Sequence, residues 1–199
     1  MRRLVLASGS PARLGLLRSA GFAPEVVVSG VDESGVTGTP AEVCQQLAAR
    51  KAHAVAGLFA DAEECPVVVG CDSMLEFDGE LYGKPDNHEI ARARWLRMSG
   101  RCGRLHSGHH VVDVQTGREA AAVASTVVRF GQPTDAELSA YLATGEPLAV
   151  AGGFTIDGYG AIFIDGIDGD AGTVIGLSLP LLRRLLADLG IPITDLWAR

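Results

Sequence analysis

The sequence predicts an α/β fold, and three observations carry that prediction. Short apolar runs rich in β-branched residues, at Leu4–Ala7, Val26–Val28 and Val67–Val69, read as strands. Stretches of helical periodicity separate them, with cap-and-proline starts at Ser10-Pro11 and Thr39-Pro40. A long antiparallel hairpin is signalled further on by Val111–Val114 and Ala120–Phe130, joined at Thr116-Gly117.

Taken in order, the strand Leu4–Ala7 leads through Ser8-Gly9-Ser10 into a helix that runs to about Ala20 and closes at Gly21. Leu14, Leu16 and Leu17 form its apolar side. The strand Val26–Val28 and the acidic loop Val31-Asp32-Glu33-Ser34 follow. The helix begun at Thr39-Pro40 extends to about Phe59, with Val43, Leu47, Val55 and Leu58 as its stripe. Val67–Val69 is too short for a buried helix, so it reads as a buried strand with Asp72 at its C-terminal end. A second short strand, a turn at Asp78-Gly79 and the rigid Gly83-Lys84-Pro85 come next.

Asp86-Asn87-His88-Glu89 has a D-x-x-E capping pattern and opens a helix to Met98, with Trp95 and Leu96 facing inward. After the hairpin, Thr134–Glu137 is a capping box for a helix that stops at Gly145. The glycine-rich Gly145–Gly160 reads as a folded loop, and Ala161–Ile164 as a strand. Ser178-Leu179-Pro180 starts the last helix, which ends near Gly190.

Composition bounds the function. At 199 residues and 47% hydrophobic, the chain can bury a full core, and global disorder is excluded. A net charge of −7 argues against a general nucleic-acid binder, although a few cations can still serve a small anionic ligand. The four cysteines form no CxxC pair, which leaves free thiols in a reducing compartment. No stretch is long enough to span a membrane, so a cytoplasmic protein is expected.

Several residues invite a chemical reading. Ser10, the following helix start and Arg13 resemble an anion cradle; an ordinary capped helix with a surface Arg is the alternative. Asp32 and Glu33 read as solvated charge unless another carboxylate converges on them, since Mg²⁺ and Mn²⁺ favour oxygen ligands. Lys51 is most simply a solvated or snorkelling side chain, and His53 has no assigned role. Asp72, facing a bound phosphate with Lys84 beside it, is the central expectation. His106 and His110 share one strand face and His109 takes the other, so polar strand histidines are expected there rather than a metal centre. Asp165, Asp168 and Asp170 lack calcium-loop spacing and read as solvated turns.

Taken together, LASGSPARLGLL (Leu6–Leu17), VDE (Val31–Glu33), CDSMLEFDGELYGKP (Cys71–Pro85), MSGR (Met98–Arg101), GEP (Gly145–Pro147), AGGF (Ala151–Phe154), GYGAIFIDGIDGD (Gly158–Asp170) and VIGLSLP (Val174–Pro180) resemble the Maf-type nucleoside-triphosphate pyrophosphatases. The Cys71–Met74 form and the GLSLPLLR ending are similar to the actinobacterial branch. The resemblance implies one domain over residues 1–199, with an elongated mixed β-sheet flanked by helices. It also implies two lobes around a central cleft, as in inosine-triphosphate pyrophosphatase. The implied reaction is hydrolysis of a nucleoside triphosphate to monophosphate and diphosphate with a divalent metal, Mg²⁺ or Mn²⁺. By motif position Asp72 matches the proposed general base, and Ser10, Arg13, Glu33, Lys51 and Lys84 match the polar, phosphate-binding or metal positions. Glu33 and Asp72 are the expected metal ligands. Clearance of non-standard nucleotides, a link to division arrest and a homodimer are further family properties. A regulatory nucleotide binder with little catalysis is the rival reading, and a nucleotidyltransferase a weaker third. Ala12, Ser73, Gly103, Ala149-Val150 and Asp157 depart from the family pattern, so no base preference is carried over.

Overall fold

The computed structural model describes residues 2–63 and 65–198. Its centre is a seven-stranded mixed sheet flanked by helices. The strands are β1 (Leu4–Leu6), β2 (Glu25–Val26), β3 (Val67–Phe77), β4 (Glu80–Tyr82), β5 (Cys102–Asp113), β6 (Arg118–Phe130) and β7 (Ile164–Asp168). Their order is β2-β1-β3-β5-β6-β7, with β4 paired to β3. β1 runs parallel to both neighbours, pairing Leu4–Leu6 with Val67–Val69. The helices are α1 (Pro11–Ser19), α2 (Pro40–Ala56), α3 (His88–Met98), α4 (Asp135–Ala143), α5 (Ala171–Ile175) and α6 (Leu179–Asp188).

The chain forms two compact units. The first comprises Met1–Asp72, Ser107–Ala124 and Gly176–Arg199; the second comprises Ser73–His106 and Ser125–Ile175. Strands β3, β5 and β6 each contribute residues to both.

In the first unit, strand alternation feeds two apolar layers. Leu4, Leu6, Val67 and Val69 pack with Leu17 of α1 and Leu182, Leu185 and Leu186 of α6. Val5, Val68 and Val112 pack with Ala52 and Val55 of α2. Strands covered on both faces need continuous apolar runs, which is why these segments show no polar alternation. In the second unit, Trp95 sits at the middle of Phe77, Met98, Phe130, Leu138, Tyr141 and Phe154. Its ring meets Phe130 edge-on at 5.7 Å, and its Nε1 donates to the Gly153 carbonyl at 2.7 Å.

Several boundaries differ from expectation. Asp72 does not end a strand: β3 continues to Phe77, because Leu75 and Phe77 are buried and pair with β4 at Tyr82 and Glu80. The turn between them is at Asp78-Gly79, both with positive φ, as expected for a tight hairpin. β2 is only two residues long, whereas β5 begins at Cys102, well before Val111. Asn87, not Asp86, caps α3, its side chain accepting from the Ile90 N–H. Trp95 is buried but Leu96 and Leu58 face solvent. Tyr159–Phe163 is a 3-10 turn and the strand starts only at Ile164, so Asp165 and Asp168 lie in β7. Asp170 instead accepts from the Gly172 and Thr173 N–H groups at the start of α5. None of the four cysteines is in a disulfide. No helix among the described residues is long and apolar enough to cross a membrane.

Candidate functional site: a buried acid, a lysine and a second acid

Two glycines bring α2 down onto the sheet. A side chain at Gly70 on β3 would meet the Ala48 carbonyl at 2.3 Å and the Ala52 nitrogen at 2.7 Å. One at Gly108 on β5 would meet the Cys44 carbonyl at 2.3 Å. Only hydrogen fits at these positions, and the close approach sets Lys51 of α2 over β3. The other end of α2 is fixed by a capping box between Thr39 and Glu42.

Lys51 Nζ lies 2.6 Å from Asp72 Oδ1 and 2.7 Å from Glu33 Oε1. It is neither solvated nor snorkelling: its side chain is only 12% exposed, and that of Asp72 10%. Glu33 reaches in from the solvent side, its side chain 55% exposed. Its neighbour Asp32 is turned away, accepting from the Ser34 N–H and hydroxyl, which hold its carboxyl below the usual carboxylate range. Of the two adjacent acids, Glu33 is therefore the one that converges on Lys51.

Asp72 is held under opposing influences. Burial pushes its carboxyl up from the ordinary value, the Lys51 and Arg13 charges pull it down, and Glu33 pushes it up again; burial wins. Its second oxygen, Oδ2, is buried with no hydrogen-bond partner among the described residues. An unmatched buried carboxylate oxygen is costly, and it marks a place where an outside proton donor or cation fits. Cys71, next along β3, points into the apolar layer, where burial pushes its thiol up to about 11; it is inert packing.

The loop before α1 is tied down by its own hydroxyls and by Arg13. Ser10 caps the helix, its hydroxyl accepting from the Arg13 N–H at 3.4 Å. Arg13 Nε donates to the Gly176 carbonyl and one Nη to Ser8 Oγ, both at 2.9 Å. Ser8 Oγ also accepts from the Ser10 N–H at 3.2 Å. Ser8 and Gly176 were not singled out from sequence. Ser8 was visible in the same Ser-Gly-Ser loop, but Gly176 lies 163 positions from Arg13 along the chain, with no local signal to join them.

Asp72, Lys51 and Glu33 are thus in direct contact, and Arg13, braced from the Ser10 loop, acts on Asp72 by its charge. Lys84 belongs to the second unit, where it is exposed. The preceding Gly83 carbonyl accepts from Arg94 and from the Gly152 N–H. In the same unit Glu146 accepts from the Tyr141 and Thr155 hydroxyls and from the Tyr159 and Gly160 N–H groups. That holds the loop carrying exposed Asp157. The strand histidines do not cluster: His106 pairs with Glu76 and Ser125, His109 with Ser178 N–H, and His110 with Glu119.

Fold and site together define an α/β protein with a desolvated acid gripped by a lysine and acted on by the charge of a braced arginine. The chain belongs to the Maf-like protein family, whose model matches residues 3–189. It is 64% identical over 198 residues to a nucleoside triphosphate pyrophosphatase of Streptomyces coelicolor, covering 99% of this chain and 95% of that protein. A nucleoside triphosphate pyrophosphatase of Salinispora tropica is 58% identical over 199 residues, covering 99% and 88%. A solved nucleoside-triphosphatase / dITP/XTP pyrophosphatase from Mycobacterium abscessus is more distant, with a TM-score of 0.45 and 16% identity across 94% of this chain and 97% of that one.

Proposed function

We propose that this protein is a nucleoside triphosphate pyrophosphatase that splits its substrate into monophosphate and diphosphate by attack of water at the α-phosphorus. The observation that carries the reading is Asp72: buried, gripped by Lys51 through one oxygen, and unmatched at the other. A carboxylate whose proton affinity is raised by burial is a better base than one in water. Asp72 Oδ2 takes the proton from the attacking water as the new P–O bond forms and the diphosphate leaves. Lys51 holds the Asp72 carboxylate in place. Arg13, braced by Gly176 and Ser8, offsets the phosphate charge.

The donor set also fits a hard divalent cation. Glu33 and Asp72 offer the oxygen ligands that Mg²⁺ or Mn²⁺ prefers, and the two lone-pair sites of Asp72 Oδ2 would leave one for the ion and one for the proton. Such an ion would supply charge neutralisation on the triphosphate. The cellular role proposed with this chemistry is removal of non-standard nucleotides before polymerases use them; a link to division arrest rests on family resemblance alone.

The test is a panel of nucleoside triphosphates with Mg²⁺ or Mn²⁺, scored for diphosphate release. Folded Asp72→Asn is expected to lose ~10²–10⁴-fold in turnover, the range for removal of a general base. Unchanged turnover in that variant would remove Asp72 from the mechanism. Tight nucleotide binding without diphosphate release would replace catalysis with a regulatory role.

A further inference from the structure

The histidine run on β5 does not make a metal centre of its own, but one member meets Glu119 across the hairpin and the sequence-remote His53 of α2. His110 of β5, His53 of α2 and Glu119 of β6 converge within the first unit. His53 Nε2 lies 2.9 Å from both Glu119 oxygens, and His110 Nε2 lies 2.9 Å from Glu119 Oε2. The two imidazoles meet edge to face with centroids 4.7 Å apart. The three ligand atoms all lie within 4.8 Å of one another.

We propose that His53, His110 and Glu119 form a transition-metal site, of the kind that takes Zn²⁺, separate from the Asp72–Lys51–Glu33 centre. Two imidazole nitrogens and one carboxylate oxygen are a borderline ligand set that favours Zn²⁺ over Mg²⁺ or Mn²⁺. His53 is two positions from Lys51 on α2, and residues at that spacing do not share a helix face. Zn²⁺ bonds of about 2.0–2.2 Å require the nitrogens to close on the carboxylate. His53 and Glu119 are half exposed, which leaves them room to move and leaves water room to complete the coordination. His110 is buried, and its Nδ1 has no partner among the described residues. Its hydrogen bonding among the described residues therefore runs through the nitrogen that faces Glu119. Because the three ligands come from a helix and two strands, a bound ion would cross-link α2 to the sheet.

The experiment uses the metal-free full chain with ¹⁵N-labelled histidines, held in excess Mg²⁺ so that the oxygen-ligated centre is occupied. Zn²⁺ is added to one equivalent, and the ring nitrogens of the five histidines are followed by NMR. The expected result is that His53 and His110 Nε2 move to metal-bound positions while His88, His106 and His109 stay in place, and that Tm rises. His53→Ala and Glu119→Gln, both at exposed side chains, should weaken Zn²⁺ binding beyond the ~10–100-fold that loss of an outer-shell partner costs. The proposal is overturned if the His53 and His110 signals do not move at one equivalent, or if both variants respond to Zn²⁺ as the parent does. Neither outcome bears on diphosphate release, which is measured separately with Mg²⁺ alone.

Discussion

At the scale of single residues, the proposed chemistry falls on Asp72, whose charge the folded protein disfavours. Its folded pKa is raised, so the folded state holds this proton more tightly than the unfolded chain does. Its contribution to stability is therefore most favourable below the ordinary carboxylate value and is lost as pH rises through the folded value. Asn at this position does not titrate. In the absence of divalent metal, urea denaturation should show Asp72→Asn gaining stability relative to the parent as pH is raised through that window. A pH-independent difference would mean that Asp72 ionises as easily in the folded protein as in the unfolded one. Asp72 and Glu33 were legible in the sequence as acids in suggestive loops, but neither the Lys51 bridge nor the unmatched Oδ2 was. Lys51 is 21 positions from Asp72; by residue type it read as a solvated or snorkelling side chain, and only the family resemblance gave it a site role.

At the scale of elements, the approach of α2 to β3 decides whether that bridge forms. Gly70→Ala would place a methyl group against α2 backbone that cannot move aside as a flexible side chain would. It should cost ~1–3 kcal/mol, the range for overpacking, and should lower turnover by shifting Lys51 from Asp72. Denaturant midpoints together with diphosphate release check both effects; a fully active, equally stable variant would show that the close contact is not required. The start of α3 gives a second test. Asn87→Ala should cost about 1 kcal/mol as a lost N-cap, whereas Asp86→Ala should change stability little. The D-x-x-E pattern pointed one residue too early, because Asp and Asn at adjacent positions offer equally good caps. Backbone geometry chose Asn87. Helices whose caps had no such competitor, at Ser10, Thr39, Thr134 and Ser178, were legible from sequence.

For the whole molecule, three strands carry residues of both compact units, so each core leans on β-structure that continues into the other. One cooperative thermal transition is expected. Trp95→Ala should lower it by removing the largest side chain of the second core, at a cost of ~3–5 kcal/mol. Calorimetry with two resolved transitions, only one of them sensitive to this variant, would show that the units unfold independently. The alternation of α and β elements was readable because parallel strands buried on both faces must be apolar throughout. The length of β3 was not, since its continuation past Asp72 depends on Leu75 and Phe77 finding the second core and on β4 pairing beside it.

The sequence by itself determined the α/β class, the capped helix after the Ser8-Gly9-Ser10 loop and the family motifs around Asp72. These are local signals, written in periodicity, cap chemistry and short strings of residues. Only the tertiary structure decided which charges meet: Glu33 rather than Asp32 on Lys51, Gly176 on Arg13, and His53 and Glu119 on His110. All but the His110–Glu119 pair, which spans the β5–β6 hairpin, join elements separated along the chain. The contacts of Lys51 and His53 depend on how closely α2 lies on the sheet, a distance governed here by two glycines and not by any property of the residues that meet.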